Sequence, residues 1–220
     1  MTIVITGANR GVGLALAELA ASQGHAVIGT YRGDRKPDVA GIEWHALDVA
    51  DPASQQSFAK SLAGRNVSLL VCNAGVYLEK GQALESGYAK PLWDNTFDVN
   101  VTGVFMTIQG LLPNIQQAKG KIAIISSQMA SDTRAPGGSY IYRASKAAAL
   151  NLGRNLATDL KRDGVAVGIY HPGWVITDMG GAGADITVSQ SASGLMKRFE
   201  ALSLSSTGCF ETWDGTNHPF

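Results

Sequence analysis

The chain of 220 residues is short of several things, and each shortage excludes a class of protein. Its two cysteines, Cys72 and Cys209, lie far apart and outside any C-x-x-C pair. That excludes a disulfide framework and is read as two reduced thiols in a cytoplasmic protein. The four histidines, His25, His45, His171 and His218, show no ligand spacing, so no metal site is expected. Charged residues make up only 16% and the formal net charge is zero, so nothing favours a nucleic-acid or anionic-membrane partner. The longest apolar runs, such as IAII from Ile122, are far too short to span a bilayer. The start, MTIVITGANRG, has no charged segment followed by an apolar core and a cleavage site, and no signal peptide is read there.

Apolar residues, by contrast, make up 45% of the chain, and glycine occurs 26 times without a collagen-like period. A chain of this size buries a sizeable core, and its glycines serve turns and close contacts. Short β-branched runs (TIVIT, HAVIGT, IEWHAL, VSLLVC, KIAIIS, VAVGIY, GCFET) alternate with amphipathic or alanine-rich segments. DPASQQSFAKSLAG reads as a helix capped by Asp51 with Pro52 at its first position. Residues 91–119 are mostly helical, 139–162 form a long helix, and Thr187 or Ser189 caps a last helix through Leu202. Apolar strands alternating with helices imply an α/β fold: one domain over 1–220, a doubly wound parallel sheet of about seven strands with helices on both faces.

Two stretches carry chemistry. In TGANRGVG, Gly7, Gly11 and Gly13 lie between the first strand and the first helix. An ordinary tight turn also uses glycine there, but in this position the backbone can approach a pyrophosphate at a helix N-terminus. In SYIYRASK, Tyr142 and Lys146 are four apart and share a helix face, whereas Tyr140 has Ala144 at that offset. A phenol titrates near pH 10, and an ammonium beside it stabilises the phenolate and lowers that value. Tyr142 is then able to protonate a carbonyl oxygen or deprotonate an alcohol. Alone, such a pair is usually an amphipathic edge. Ser126 and Ser127 both end the fifth strand, and only one of them can face a cleft.

The spacing T-G-x-x-x-G-x-G resembles that of the short-chain dehydrogenase/reductase family, and six further motifs follow in its order: LDV at 47–49, CNAG at 72–75, DVN at 98–100, IISS at 124–127, YRASK at 142–146 and HPGWVITDM at 171–179. The resemblance covers nearly the whole chain, and HPGWVITDMGG with the tail from Ser189 is similar to the C-factor-like and carbonyl-reductase-like branch. It implies a nicotinamide-dependent oxidoreductase interconverting a small carbonyl and an alcohol, with Asn100, Ser127, Tyr142 and Lys146 as the catalytic set. By that resemblance Ser127 is the serine that orients the carbonyl. Asn100 distorts its helix and frees a backbone carbonyl for a water in a proton relay. Lys146 holds the nicotinamide ribose. Asp48 lies near the adenine, Thr177 bonds the carboxamide, and Pro172 and Gly173 shape the loop beneath the ring. Asn9, Val12, Val49, Asn73, Ala74, Gly75 and Val175 complete the cofactor-binding set with Arg10, Arg32 and the glycines.

NAD sites of this fold carry an acid after the second strand. Here Tyr31 takes that place, Arg32 follows, and Arg10 lies in the glycine turn, so NADP(H) is favoured over NAD(H). Asp34 is the nearest acid, beyond the strand end. Only Arg32 to Gly41, with Pro37 among them, separate the second and third strands, so the helix usual there is reduced to a turn. The loop ASDTRAPGG is expected to bulge beside the active site, and 174–185 to be mobile until a ligand orders it. Tyr77, Met129, Trp174 and Met179 are candidates for an apolar pocket wall. Helices over 100–118 and 140–161 form a dimer interface in many relatives, giving a dimer or tetramer, while the carbonyl-reductase-like branch includes monomers. The rival function is a dinucleotide-binding sensor or signalling protein that has kept the fold.

Overall fold

The computed structural model describes residues 1–33 and 36–220. Seven strands form one sheet: β1 (Thr2–Ile5), β2 (Ala26–Tyr31), β3 (Ile42–Ala46), β4 (Leu69–Cys72), β5 (Lys121–Ile125), β6 (Ala166–His171) and β7 (Phe210–Thr212). Their order is β3-β2-β1-β4-β5-β6-β7 and every pairing is parallel. The helices are α1 (Gly11–Ser22), α2 (Pro52–Ser61), α3 (Lys90–Phe97), α4 (Gly103–Ala118), α5 (Tyr140–Leu160) and α6 (Val188–Ala201).

The two-residue period of the strands sorts the core onto two faces. Val4, Ile28, Leu70, Ile122 and Val167 pack with Phe58, Ile108, Leu111 and Ala157 under α2, α4 and α5. Ile3, Ile5, Val71 and Tyr170 pack with Leu16, Ala20, Leu195 and Phe199 under α1 and α6. Both faces are covered, which is why β4 and β6 are buried throughout. The chain reverses its direction of travel between β1 and β4, and the crevice at their carboxyl ends is where doubly wound sheets bind ligands.

Local signals set the helix ends. Asp51 accepts hydrogen bonds from Ala53 N and Ser54 N, with Pro52 opening α2. Of the two candidate caps for α6, Thr187 is the one used, in a capping box with Gln190. Among the described residues between β2 and β3 there is no helix; Asp34 lies outside them. The long helical stretch from Lys90 to Ala118 is not uniform, because Asp98–Thr102 form a π-helical turn around Asn100.

Candidate active site

A cleft of about 1040 Å³ opens at the carboxyl ends of the strands. At one end lies the glycine turn. Asn73 Nδ2 donates to Thr6 O and Gly7 O, both at 3.0 Å, and Thr6 Oγ1 accepts from Asn73 N and Ala74 N. Thr30 Oγ1 accepts from Gly7 N at 3.1 Å. These bonds stitch the ends of β1, β2 and β4 together, and little room is left. A methyl at Gly7, whose φ is +62°, would lie 2.9 Å from Ala74 Cα, and one at Gly13 would lie 2.4 Å from Gly7 O. Arg10 stands at the N-cap of α1 and no side chain caps the helix, so its first amides face the cleft through Gly11, Val12 and Gly13. An uncapped helix N-terminus behind a glycine turn suits an anionic diphosphate, and the residues present fit a dinucleotide.

Asn9, Arg10, Arg32, Asp48 and Val49 line the same end of the cleft, and Ala74, Gly75, Pro172, Gly173, Val175 and Thr177 line its middle. Asp48 is held by Ser54, whose Oγ accepts from Asp48 N, and Asp48 Oδ1 accepts from Ala50 N. Thr177 Oγ1 accepts from Gly180 N and donates to Val175 O, which shapes the loop that follows. The loop 174–185 borders the cleft and makes contacts on both of its sides. Lys80 Nζ donates to Met179 O at 2.8 Å, Arg10 donates to Asp178 at 3.1 Å, and Trp174 Nε1 donates to Gly180 O at 3.0 Å. The first two bonds join the loop to the segment after β4 and to the glycine turn, and Arg10 spans the mouth toward Asp178.

Tyr142, Lys146 and Ser127 meet deeper in the cleft. Lys146 Nζ lies 5.7 Å from the centre of the Tyr142 ring and donates to Ile125 O at 3.0 Å. Ser127 Oγ accepts from Met129 N at 3.1 Å, and its own O–H is directed to the Tyr142 phenol. Ser126 also borders the cleft, but its hydroxyl donates to Lys146 O and so is tied to backbone. Tyr140 faces outward against the edge of Tyr88. Asn100 does not line the cleft with the others. It stands behind the wall, its Oδ1 accepting from Val76 N and its Nδ2 donating to Val76 O and Ser145 Oγ. Ser145 in turn donates to Tyr142 O, so Asn100 reaches the phenol's helix through one hydroxyl.

The electrostatics correct one expectation. Burial pushes the Tyr142 phenol up to about 12; the Ser127 hydroxyl opposes the rise, and Tyr77 and Glu79 add to it. The ammonium does not lower it: burial draws Lys146 itself down to about 8, so it has lost its charge before the phenol titrates. His171, on the wall, is pulled down to about 4 by burial and then by His218, and its Nδ1 has no hydrogen-bond partner among the described residues.

Tyr77, Met129, Trp174 and Met179 all border the cleft, and Tyr77 stacks on Tyr142 with ring centres 4.5 Å apart. The loop before α5 runs beside the cleft, Arg134 donating to Gln128 Oε1 on its wall. Gln128 and Met129 line the cleft, Ser131 and Thr133 bond to Phe220 O, and Arg143 holds Arg134 O and Gly138 O. Two residues escaped the sequence reading. Lys80 supplies the bond to Met179 O, and Glu79, only 1% exposed, accepts from Tyr142 N at 2.6 Å. The only trace of Glu79 in the sequence is an alternation past the fourth strand that sets Tyr77 and Glu79 on one side and Leu78 on the other. Among the described residues no three metal-binding side chains cluster, and no helix is long and apolar enough to cross a membrane.

A parallel doubly wound sheet with a phosphate-type glycine turn and a tyrosine–lysine pair at its crevice defines a dinucleotide-dependent α/β oxidoreductase. The family model for short chain dehydrogenase matches residues 1–185, and the chain belongs to that family. The C-signal protein of Myxococcus xanthus is 32% identical over 170 residues, covering 75% of this chain and 99% of that one. The 1-hydroxy-2-glutathionyl-2-methyl-3-butene dehydrogenase of Rhodococcus sp. (strain AD45) is 31% identical over 225 aligned positions, covering 98% and 97%. The structure of NADPH-bound carbonyl reductase from chicken fatty liver aligns with a TM-score of 0.89 at 28% identity, covering 100% of this chain and 98% of its own.

Proposed function

We propose that this protein is an NADP(H)-dependent carbonyl reductase acting on a small, largely apolar aldehyde or ketone, with Tyr142 as its acid. The observation that carries the reading is the convergence of Tyr142, Ser127 and Lys146 on a cleft that runs to the uncapped N-terminus of α1. When bound, the reduced nicotinamide supplies the hydride. Ser127 gives a hydrogen bond from its hydroxyl to the substrate oxygen and so orients the carbonyl, keeping its own proton. Tyr142, whose phenol is pushed up to about 12, keeps its proton at neutral pH and delivers it to the same oxygen as charge develops there. Reduction is the direction that a cytoplasmic pool of reduced cofactor drives. Lys146 has two ammonium protons beyond the one given to Ile125 O, and these hold the ribose hydroxyls. Arg32 and Arg10 bind the 2′-phosphate, Arg10 by exchanging its exposed partner Asp178 for it. Asn100 steadies the helix of Tyr142 through Ser145.

The name of the Myxococcus xanthus relative favours a second reading, a signalling protein that binds the dinucleotide with little turnover. NADPH oxidation measured against a panel of aldehydes, ketones and quinones separates the two. Turnover with NADPH preferred over NADH is the result expected; NADPH binding without turnover on any substrate favours the signalling reading.

A further inference from the structure

The first turn of α5 carries Tyr142 yet has no local cap. Gly137, Gly138 and Ser139 all have positive φ, at 86°, 69° and 52°, and Ser139 makes no side-chain bond to the helix amides. A serine caps from an extended backbone, and a left-handed one is turned away from the amides it would serve. Its hydroxyl is instead bonded to Tyr77 Oη. The amide of Tyr142, third in the helix, is one of the four donors that a helix leaves without an internal partner. It is also buried, so it needs an acceptor.

That acceptor comes from 63 residues earlier. Glu79 Oε1 accepts from Tyr142 N at 2.6 Å, within a site where Glu79 is 1% exposed and its Oε2 has no hydrogen-bond partner among the described residues. No basic side chain pairs with Glu79 among the described residues. Burying a carboxylate without a cation is costly, and here the offset is the positive end of a 21-residue helix. Tyr77 acts two residues earlier on the same side, its ring on the Tyr142 ring and its hydroxyl on Ser139. The segment therefore grips the start of α5 at two places, on either side of the phenol.

We propose that Glu79 is a positioning residue for Tyr142: reaching in from the segment after β4, its carboxylate supplies the cap that α5 lacks and fixes where the phenol stands in the cleft. The functional half of this rests on the reading of Tyr142 as the acid; the anchoring half does not. Anchoring needs an acceptor oxygen at the right reach. Glu79→Gln keeps that oxygen without the charge, and Glu79→Asp keeps the charge but falls one methylene short.

The test uses the full chain with NADPH, reading amide exchange across 140–143 together with kcat and KM. Glu79→Gln is expected to hold exchange and kcat within about threefold of the parent. Glu79→Asp is expected to speed exchange by about tenfold and to lower kcat by roughly 10- to 100-fold, the scale of a small misplacement of a reacting group, with KM and the NADPH Kd within about threefold. Parental exchange and kcat in Glu79→Asp, or a Glu79→Gln as impaired as Glu79→Asp, overturn the proposal. If Glu79→Asp does not fold, Glu79→Gln decides alone, an impaired enzyme overturning the proposal and a near-parental one supporting it. If Tyr142→Phe keeps full turnover, the reading of Tyr142 as the acid fails, and exchange still decides the anchoring.

Discussion

Replacing Gly13 with alanine adds one methyl at the most crowded point of the glycine turn. That methyl would lie 2.4 Å from Asn73 Nδ2 and 2.4 Å from Gly7 O. The Asn73 amide can give way only by releasing Thr6 O and Gly7 O, two bonds of 3.0 Å. At a net value of about 1 kcal/mol each, their loss costs about 2 kcal/mol. Gly7 O is backbone and cannot rotate aside, so α1 must shift, and overpacking of this kind adds about 1–3 kcal/mol. The expected loss is about 3–5 kcal/mol, or a fall in Tm of roughly 6–20 °C for a chain of this length. Because the same shift moves the uncapped amides of α1, NADPH binding should weaken by at least about tenfold. Gly183 is the control: a methyl there meets nothing within 4 Å, and Gly183→Ala should stay within about 0.5 kcal/mol. Thermal unfolding and NADPH titration of both variants are the assay. A Gly13→Ala protein with the parental Tm and affinity would refute the claim that close approach dictates this turn.

Burial sets a pH dependence through Lys146. Its folded value is about 8, below the roughly 10.4 of an unfolded lysine, so the destabilisation is complete below about pH 8 and is relieved as pH rises through that window. The stability difference between the parent and Lys146→Met, which cancels other titrations such as that of Cys72, should shift toward the parent by about 2 kcal/mol from pH 8 to 10 in urea unfolding; a flat difference contradicts the burial argument. Arg32→Glu should weaken NADPH binding by about 100-fold and leave NADH within a few-fold, as expected when a charge-assisted phosphate contact becomes a repulsion. Equal losses for both cofactors would count against a 2′-phosphate at Arg32.

Much of this fold is legible in the sequence because its signals are local. The β-branched runs give all seven strands, Asp51 and Pro52 give the start of α2, and ten residues between the second and third strands leave no room for the usual helix. The Tyr142–Lys146 offset also depends only on helical periodicity. What escaped depends on contacts far apart in the chain. Glu79 meets Tyr142 only because the segment after β4 reaches the start of α5. The bond of Lys80 to Met179 joins positions 99 apart, and that of Arg10 to Asp178 joins positions 168 apart. The direction of the Tyr142 shift is not legible in the sequence for a related reason. Spacing shows that the ammonium is near, but not that both groups are buried and that burial takes the charge off Lys146 below the range in which the phenol titrates.

The most direct test of the central claim compares Tyr142→Phe with Tyr140→Phe in NADPH-dependent carbonyl reduction. Tyr142→Phe removes only the proton donor and should lower kcat by at least about 100-fold, the usual scale of general acid catalysis, with NADPH affinity retained. Tyr140→Phe, whose ring lies outside the cleft against Tyr88, should keep near-parental turnover. Activity lost in Tyr140→Phe and kept in Tyr142→Phe would contradict the account.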